Sequence, residues 1–190
     1  MLELAGPLAV AALVLAAGGA FKLRDPEPTR SMFTEIGVRS PRLATMLAVG
    51  SGVAELALGT ATFLVGGRVL GLLTAAAFVV FTLLAARLVR LPTTASCGCF
   101  GRHSGDTTWL HVGVDAAVAA VALTAAVLDA PGFLDARGDL PGAGIAFVGM
   151  AAIGAWLVIA TMTVLPDALV ASRRGPQPAT VRAFEISRTR

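Results

Sequence analysis

The sequence predicts an all-α polytopic membrane protein, a four-helix transmembrane bundle followed by a fifth transmembrane helix. Three observations carry this. Hydrophobic residues make up 56% of the 190 residues and charged residues 14%, and the mean hydropathy of +0.79 lies far outside the range of a soluble domain. Five apolar stretches, at 4–21, 43–65, 69–91, 109–128 and 143–165, are long enough to cross a bilayer core of about 30 Å, which takes roughly 17–25 helical residues. Between them, basic residues gather in alternate connections.

The first stretch has Glu3 and no lysine or arginine ahead of it, and no small-residue cleavage site follows, so it reads as a retained helix rather than a signal peptide. In the connection 22–42, Met32, Phe33 and Ile36 fall at helical spacing after Asp25-Pro26-Glu27-Pro28, the pattern of a short interfacial helix. Ser40 before Pro41 marks the start of the second span, since serine accepts from free helix N–H groups and proline fits the first turn. Only Gly66-Gly67-Arg68 separates the second and third stretches, which requires a tight antiparallel hairpin. Asp106 or Thr107 is expected to cap the fourth span. The chain thus divides into a four-helix unit at 1–128, a loop and fifth helix at 129–171, and a basic tail at 172–190 without apolar periodicity.

With five crossings, thirteen lysines and arginines lie on one side and two, Arg68 and Arg137, on the other. By the positive-inside rule the N-terminus is outside, and the tail and the loop after the third span are cytoplasmic. The formal net charge of +3 is thereby accounted for by topology and attraction to anionic lipid, without nucleic acid. Fourteen arginines to one lysine associate the chain with a GC-rich bacterial genome, hence a bacterial plasma membrane.

The only two cysteines, Cys97 and Cys99, are one residue apart in that loop. Two residues of chain reach at most about 7 Å and a disulfide needs its Cα atoms roughly 4.4–6.8 Å apart, so a turn at Gly98 permits ring closure. Arg102 and His103 follow closely, and positive charge favours thiolate. The competing reading is a pair of small hydrophobes packed at a helix end. Arg87 and Arg90 are read equally well as topology determinants. His111 and Asp115 are four apart on one face of the fourth span, so a carboxylate there can orient an imidazole and relay protons to a dithiol, or the two can simply satisfy each other. Glu55 lies twelve residues into the second span, where an acidic group costs about 3 kcal/mol and so turns inward, toward Thr45, Thr60, Thr62 or another helix, as a structural hydrogen bond or a proton relay. Gly50, Gly52 and Gly59 around it allow a close helix approach. Cys97, Cys99, His103 and His111 total four metal-ligand types, but one intervening residue is tighter than the usual zinc spacing, and no metal is assigned.

Phe21-Lys22-Leu23 closing the first span, Gly52-Val53-Ala54-Glu55 in the second, and Cys97-Gly98-Cys99-Phe100-Gly101 after the third resemble the MauE family of methylamine-utilisation membrane proteins, within the wider DoxX-like group. The likeness covers about residues 1–128, and the chain departs from the family pattern at Val114-Asp115. The resemblance implies maturation of a redox-enzyme client, by forming, reducing or isomerising disulfides with a thioredoxin-like partner. In the family that client is the disulfide-rich small subunit of methylamine dehydrogenase. DoxX-like relatives also imply a quinone as electron partner. In this reading Cys97 and Cys99 are catalytic, Gly98, Phe100, Gly101, Arg102 and His103 support the loop, and Glu55, His111 and Asp115 serve as intramembrane proton relay. Two other classes stay open, a noncatalytic assembly scaffold and a small proton-coupled transporter built on Glu55. Disulfide maturation belongs outside the cytoplasm, whereas the charge count puts the dithiol inside.

Overall fold

The computed structural model describes residues 2–91, 107–136 and 142–165. Among the described residues, seven α-helices follow a 3-10 turn at Leu2–Leu4: α1 (Ala5–Arg24), α2 (Glu27–Glu35), α3 (Pro41–Val65), α4 (Gly67–Arg90), α5 (Trp109–Val127), α6 (Phe133–Ala136) and α7 (Ala143–Thr163). Of these, α1, α3, α4, α5 and α7 are long and apolar enough to cross a membrane, so the protein is a multi-pass membrane protein.

Local chemistry explains the boundaries. Asp25 precedes Pro26 and adopts an extended conformation (φ −143°, ψ 88°), because proline disfavours the helical region for the residue before it. That stops α1 at Arg24, three residues beyond the expected end. α2 then forms where the spacing of Met32, Phe33 and Ile36 predicts it, but its apolar face meets protein rather than lipid alone. Met32 packs on Leu88 of α4, with Phe33, Ile36 and Leu84 around them. At the start of α3 the Ser40 hydroxyl accepts from the Leu43 N–H at 3.4 Å, with Pro41 in the first turn, as expected. The cap of α5 is Thr108 rather than Asp106 or Thr107. Its hydroxyl accepts from the first turn while its own N–H donates to His111, a reciprocal capping box.

α1 sits at the centre of the bundle, packed along α3 on one side and against α7 and α5 on others, and α4 lies along α5. The core runs through Ala11, Val14 and Leu15 of α1, Ala75 and Phe78 of α4, Ala119 and Ala122 of α5, and Ala155 and Met162 of α7. α3 and α4, although joined directly, touch over a shorter stretch, where the buried hydroxyls of Thr62 and Thr74 hydrogen-bond at 2.9 Å.

The two ends of the bundle differ. At the turn end, Gly66 (φ 65°, ψ −144°) reverses the chain between α3 and α4 in a conformation open to glycine. The chain after α5 pairs with it: the Gly67 N–H donates to the Ala130 carbonyl at 2.8 Å, the Gly132 N–H to Val65 at 3.0 Å, and the Arg68 N–H to Asp129 Oδ1 at 2.8 Å. Phe133 of α6 stacks on Phe63 at 5.6 Å between ring centroids, with Phe147 of α7 against both. At the loop end, α1 and α4 finish and α3 and α5 begin. Here the Arg90 guanidinium lies 5.9 Å from the centre of the Trp109 ring, bringing the flanks of segment 92–106 side by side.

Candidate functional site: a buried polar layer beneath the loop end

Close packing of α1 on α3 builds the first part of the site. A Cβ on Gly19 would lie 2.5 Å from the Leu56 nitrogen and 2.6 Å from the Gly52 oxygen, so only glycine lets the two backbones meet there. One turn further along α1, that contact lays the stem of Lys22 against Gly52 and carries its ammonium to Glu55.

Lys22 Nζ forms an ion pair with Glu55 Oε1, the two residues being 4% and 6% exposed. The same ammonium lies 4.7 Å from the centre of the Phe81 ring on α4, and Phe81 is itself held edge-on by Phe78 at 5.7 Å. A desolvated cation over an aromatic face gains about 2 kcal/mol, which offsets part of the cost of removing both charges from water. The inward turn of Glu55 is therefore correct, but its partner is not one of the threonines. Thr45 donates to the Pro41 carbonyl, Thr62 meets Thr74, and Thr60 is exposed. Lys22, counted in the sequence reading among the basic residues of a connection, is a buried residue of the bundle.

His111 and Asp115 are both buried, at 1% and 4% exposure. His111 Nδ1 lies 3.2 Å from the Thr108 backbone nitrogen and 3.1 Å from its hydroxyl. A backbone N–H can only donate, so Nδ1 accepts, and a neutral ring carries its proton on Nε2. Nε2 has no hydrogen-bond partner among the described residues, although the ring lies near the Met162 backbone of α7. Asp115 thus does not orient the imidazole as the spacing suggested. Thr108 does that, and the helix cap is what fixes the ring.

Register relates the two parts. Antiparallel α4 and α5 touch at Gly71 with Ala126 and at Arg90 with Trp109. Counting between those contacts places Asp115 level with Thr82 to Leu84, within about one helical turn, roughly 5 Å along the axis, of Phe81 and therefore of the Lys22 ammonium. His111 stands one turn nearer the loop end. Lys22, Glu55, Asp115 and His111 thus occupy a single layer in the half of the bundle where α4 finishes and α5 begins. Cys97, Gly98, Cys99, Phe100, Gly101, Arg102 and His103 lie outside the described residues, as does the disulfide geometry expected of the pair.

A groove of about 520 Å³ runs between α1, α5 and α7, bounded by Val10, Ala11, Gly113, Ala117 and Val158 and ending at Trp109. A second, of about 680 Å³, follows α4 and α5. Neither fits a quinone headgroup. The first offers only the Trp109 indole N–H and the second only Thr82 as side-chain polar groups, with no titratable residue in either lining. Among the described residues no cluster of three metal-ligand side chains occurs.

A family profile described as methylamine utilisation protein MauE matches residues 1–130. No curated protein and no solved structure matches the chain. The matched region holds α1 to α5, both halves of the Lys22–Glu55 pair, and the two cysteines.

Proposed function

The chain belongs to the MauE family of methylamine-utilisation membrane proteins, and from that premise we propose that it is a membrane redox component that uses Cys97 and Cys99 for thiol–disulfide exchange with a thioredoxin-like partner during maturation of a redox-enzyme client. The observation that carries this reading is the buried layer of Lys22, Glu55, Asp115 and His111 in the half of the bundle where α4 and α5, the helices that the cysteine-bearing segment joins in sequence, finish and begin. A four-helix scaffold has no need of ionisable groups there, and each is costly in a membrane.

In the exchange, one thiolate attacks a sulfur of the partner disulfide and expels the other partner sulfur as thiolate. The second cysteine then attacks the mixed disulfide, leaving Cys97–Cys99 oxidised and the partner as dithiol. Two electrons and two protons pass to the partner, and the reverse sequence reduces the pair. The polar layer serves as the proton path, with His111 Nε2–H as its donor nearest the loop and Lys22–Glu55 as its fixed charged end. The arginine-rich composition supports a bacterial plasma membrane and the charge asymmetry an N-terminus outside with the loop and tail cytoplasmic, and removal of Lys22 from the count leaves that asymmetry intact.

The test is labelling of the cysteines with a membrane-impermeant maleimide in intact and lysed cells, before and after reduction, combined with the disulfide state of co-purified client. Cys97→Ser and Cys99→Ser are each expected to abolish client oxidation or reduction while the protein stays in the membrane. Thiols that remain reduced throughout, with client unaffected by either substitution, would overturn the redox reading and leave the scaffold. Labelling in intact cells after reduction would place the pair outside and reverse the orientation.

A further inference from the structure

The groove between α1, α5 and α7 is apolar along its length and has a cation beside one end, and we propose that it is a binding site for an anionic phospholipid of the bilayer, one acyl chain lying along α5 and the phosphate held at Arg90 beside Trp109. From Trp109 to Val121 the groove follows α5 for about 18 Å at 1.5 Å per residue, slightly more than one leaflet of a ~30 Å hydrocarbon core. That is the reach of one acyl chain. Midway along the groove the α5 residues Gly113 and Ala117 are small. Nothing lies within 4 Å of where a Cβ on Gly113 would stand, and Ala117 follows one turn later on the same exposed face.

The charge decides the lipid class. Trp109, 58% exposed, closes the loop end of the groove, where an indole belongs at the boundary between acyl chains and headgroups. Arg90 lies over that ring, and neither it nor Arg87, one turn back, is paired with a carboxylate among the described residues. A guanidinium at the headgroup level suits a lipid phosphate without a compensating ammonium, since arginine binds phosphate through a fork of N–H donors. A neutral isoprenoid would make no use of it.

Trp109 and Trp156 are the two tryptophans of the chain, which makes the site readable by fluorescence. In the Trp156→Phe protein, reconstituted in phosphatidylcholine nanodiscs, Trp109 emission is measured as brominated phosphatidylglycerol or brominated phosphatidylcholine replaces the host lipid. Half-quenching is expected at a mole fraction about fivefold lower for the anionic lipid, the equivalent of about 1 kcal/mol for one basic side chain at a lipid surface. Arg90→Gln should remove the preference by lowering the effect of the anionic lipid. Ala117→Phe and Gly113→Leu, which fill the groove from its lipid-exposed side without touching the core, should remove it as well. The Trp109→Phe protein, reporting from Trp156, should show no preference. Equal quenching by the two lipids, or a preference that survives both filling substitutions, would overturn the site. Recovery of emission by unlabelled neutral quinone but not by unlabelled phosphatidylglycerol would overturn it in favour of a neutral occupant.

Discussion

The two ends of this bundle are joined by opposite means. At the turn end, backbone meets backbone: the Gly67 N–H donates to Ala130 and the Gly132 N–H to Val65, and among the described residues the buried side-chain hydrogen bond nearby is between two neutral hydroxyls, Thr62 and Thr74. At the loop end the chain buries a lysine, a glutamate, an aspartate and a histidine. Backbone pairing closes a membrane bundle at little cost, because it satisfies groups that have to be satisfied anyway. Buried ionisable side chains do not make a bundle more stable than well-packed hydrophobes would. Their concentration at the end where α4 finishes and α5 begins is the feature on which the proposed proton path rests.

The sharpest way to break that comparison is to separate charge from packing. Glu55→Ala leaves the Lys22 ammonium buried without a counter-charge and is expected to destabilise the folded bundle by about 3–5 kcal/mol, measured by unfolding in mixed micelles. The double variant Lys22→Met, Glu55→Leu keeps the volume and removes both charges. It is expected to recover most of that stability yet stay inactive in client maturation. A double variant as unstable as the single one would mean that the pair is structural, and an active one would remove it from the proton path.

At the turn end the expected losses are steric. A Cβ on Gly132 would stand 2.4 Å from the Val65 carbonyl carbon and 2.5 Å from the Gly66 nitrogen. Gly132→Ala is therefore expected to cost about 1–3 kcal/mol in the same unfolding assay, with client maturation by the remaining folded protein unchanged. Thr62→Val should cost about 0.6 kcal/mol, the usual size of an interhelical hydrogen bond in a membrane, and a much larger loss would mean the two ends are less different than described.

The smallest expected effect concerns α2. The hydrogen bond from Arg30 Nε to Glu27 Oε2, at 2.9 Å, holds the Glu27 carboxyl below its ordinary value of 4.5. Because the folded value is depressed, the favourable contribution is present above the ordinary value and is lost as pH falls through the depressed one. Arg30→Gln should return the Glu27 titration, followed by carboxyl NMR, to the ordinary value. Both groups are solvent-exposed, so no measurable change in bundle stability should accompany it.

How far the sequence revealed these features depended on the range of the interaction. The five spans, the Ser40 cap and α2 were legible because length, periodicity and cap chemistry act within a few residues. Glu55 was legible as an anomaly, but its partner was hidden by three residues of extra helix: ending the first span at Phe21 made Lys22 a loop cation. Two signals pointed to it. Lys22 is the sole lysine beside fourteen arginines, and two of the three motifs that carry the family resemblance contain Lys22 and Glu55. The i, i+4 spacing of His111 and Asp115 suggested a pair, whereas the competing local donor, the N–H of Thr108 at the helix start, took the imidazole instead. The pairing of Gly66 with the segment after α5 leaves no local trace, since it is made of backbone atoms brought together from 65 residues apart.

The Lys22–Glu55 contact also bears on how the chain is made. A nascent α3 entering the bilayer alone would present a carboxylate near the centre of its span to lipid, whereas α1 carries its ammonium only two residues from its end and can reach the headgroups unaided. Synthesis delivers α1 first. The counter-charge is then already in the membrane when α3 arrives, so the cost of carrying a carboxylate into the bilayer falls on two spans together rather than on α3 alone.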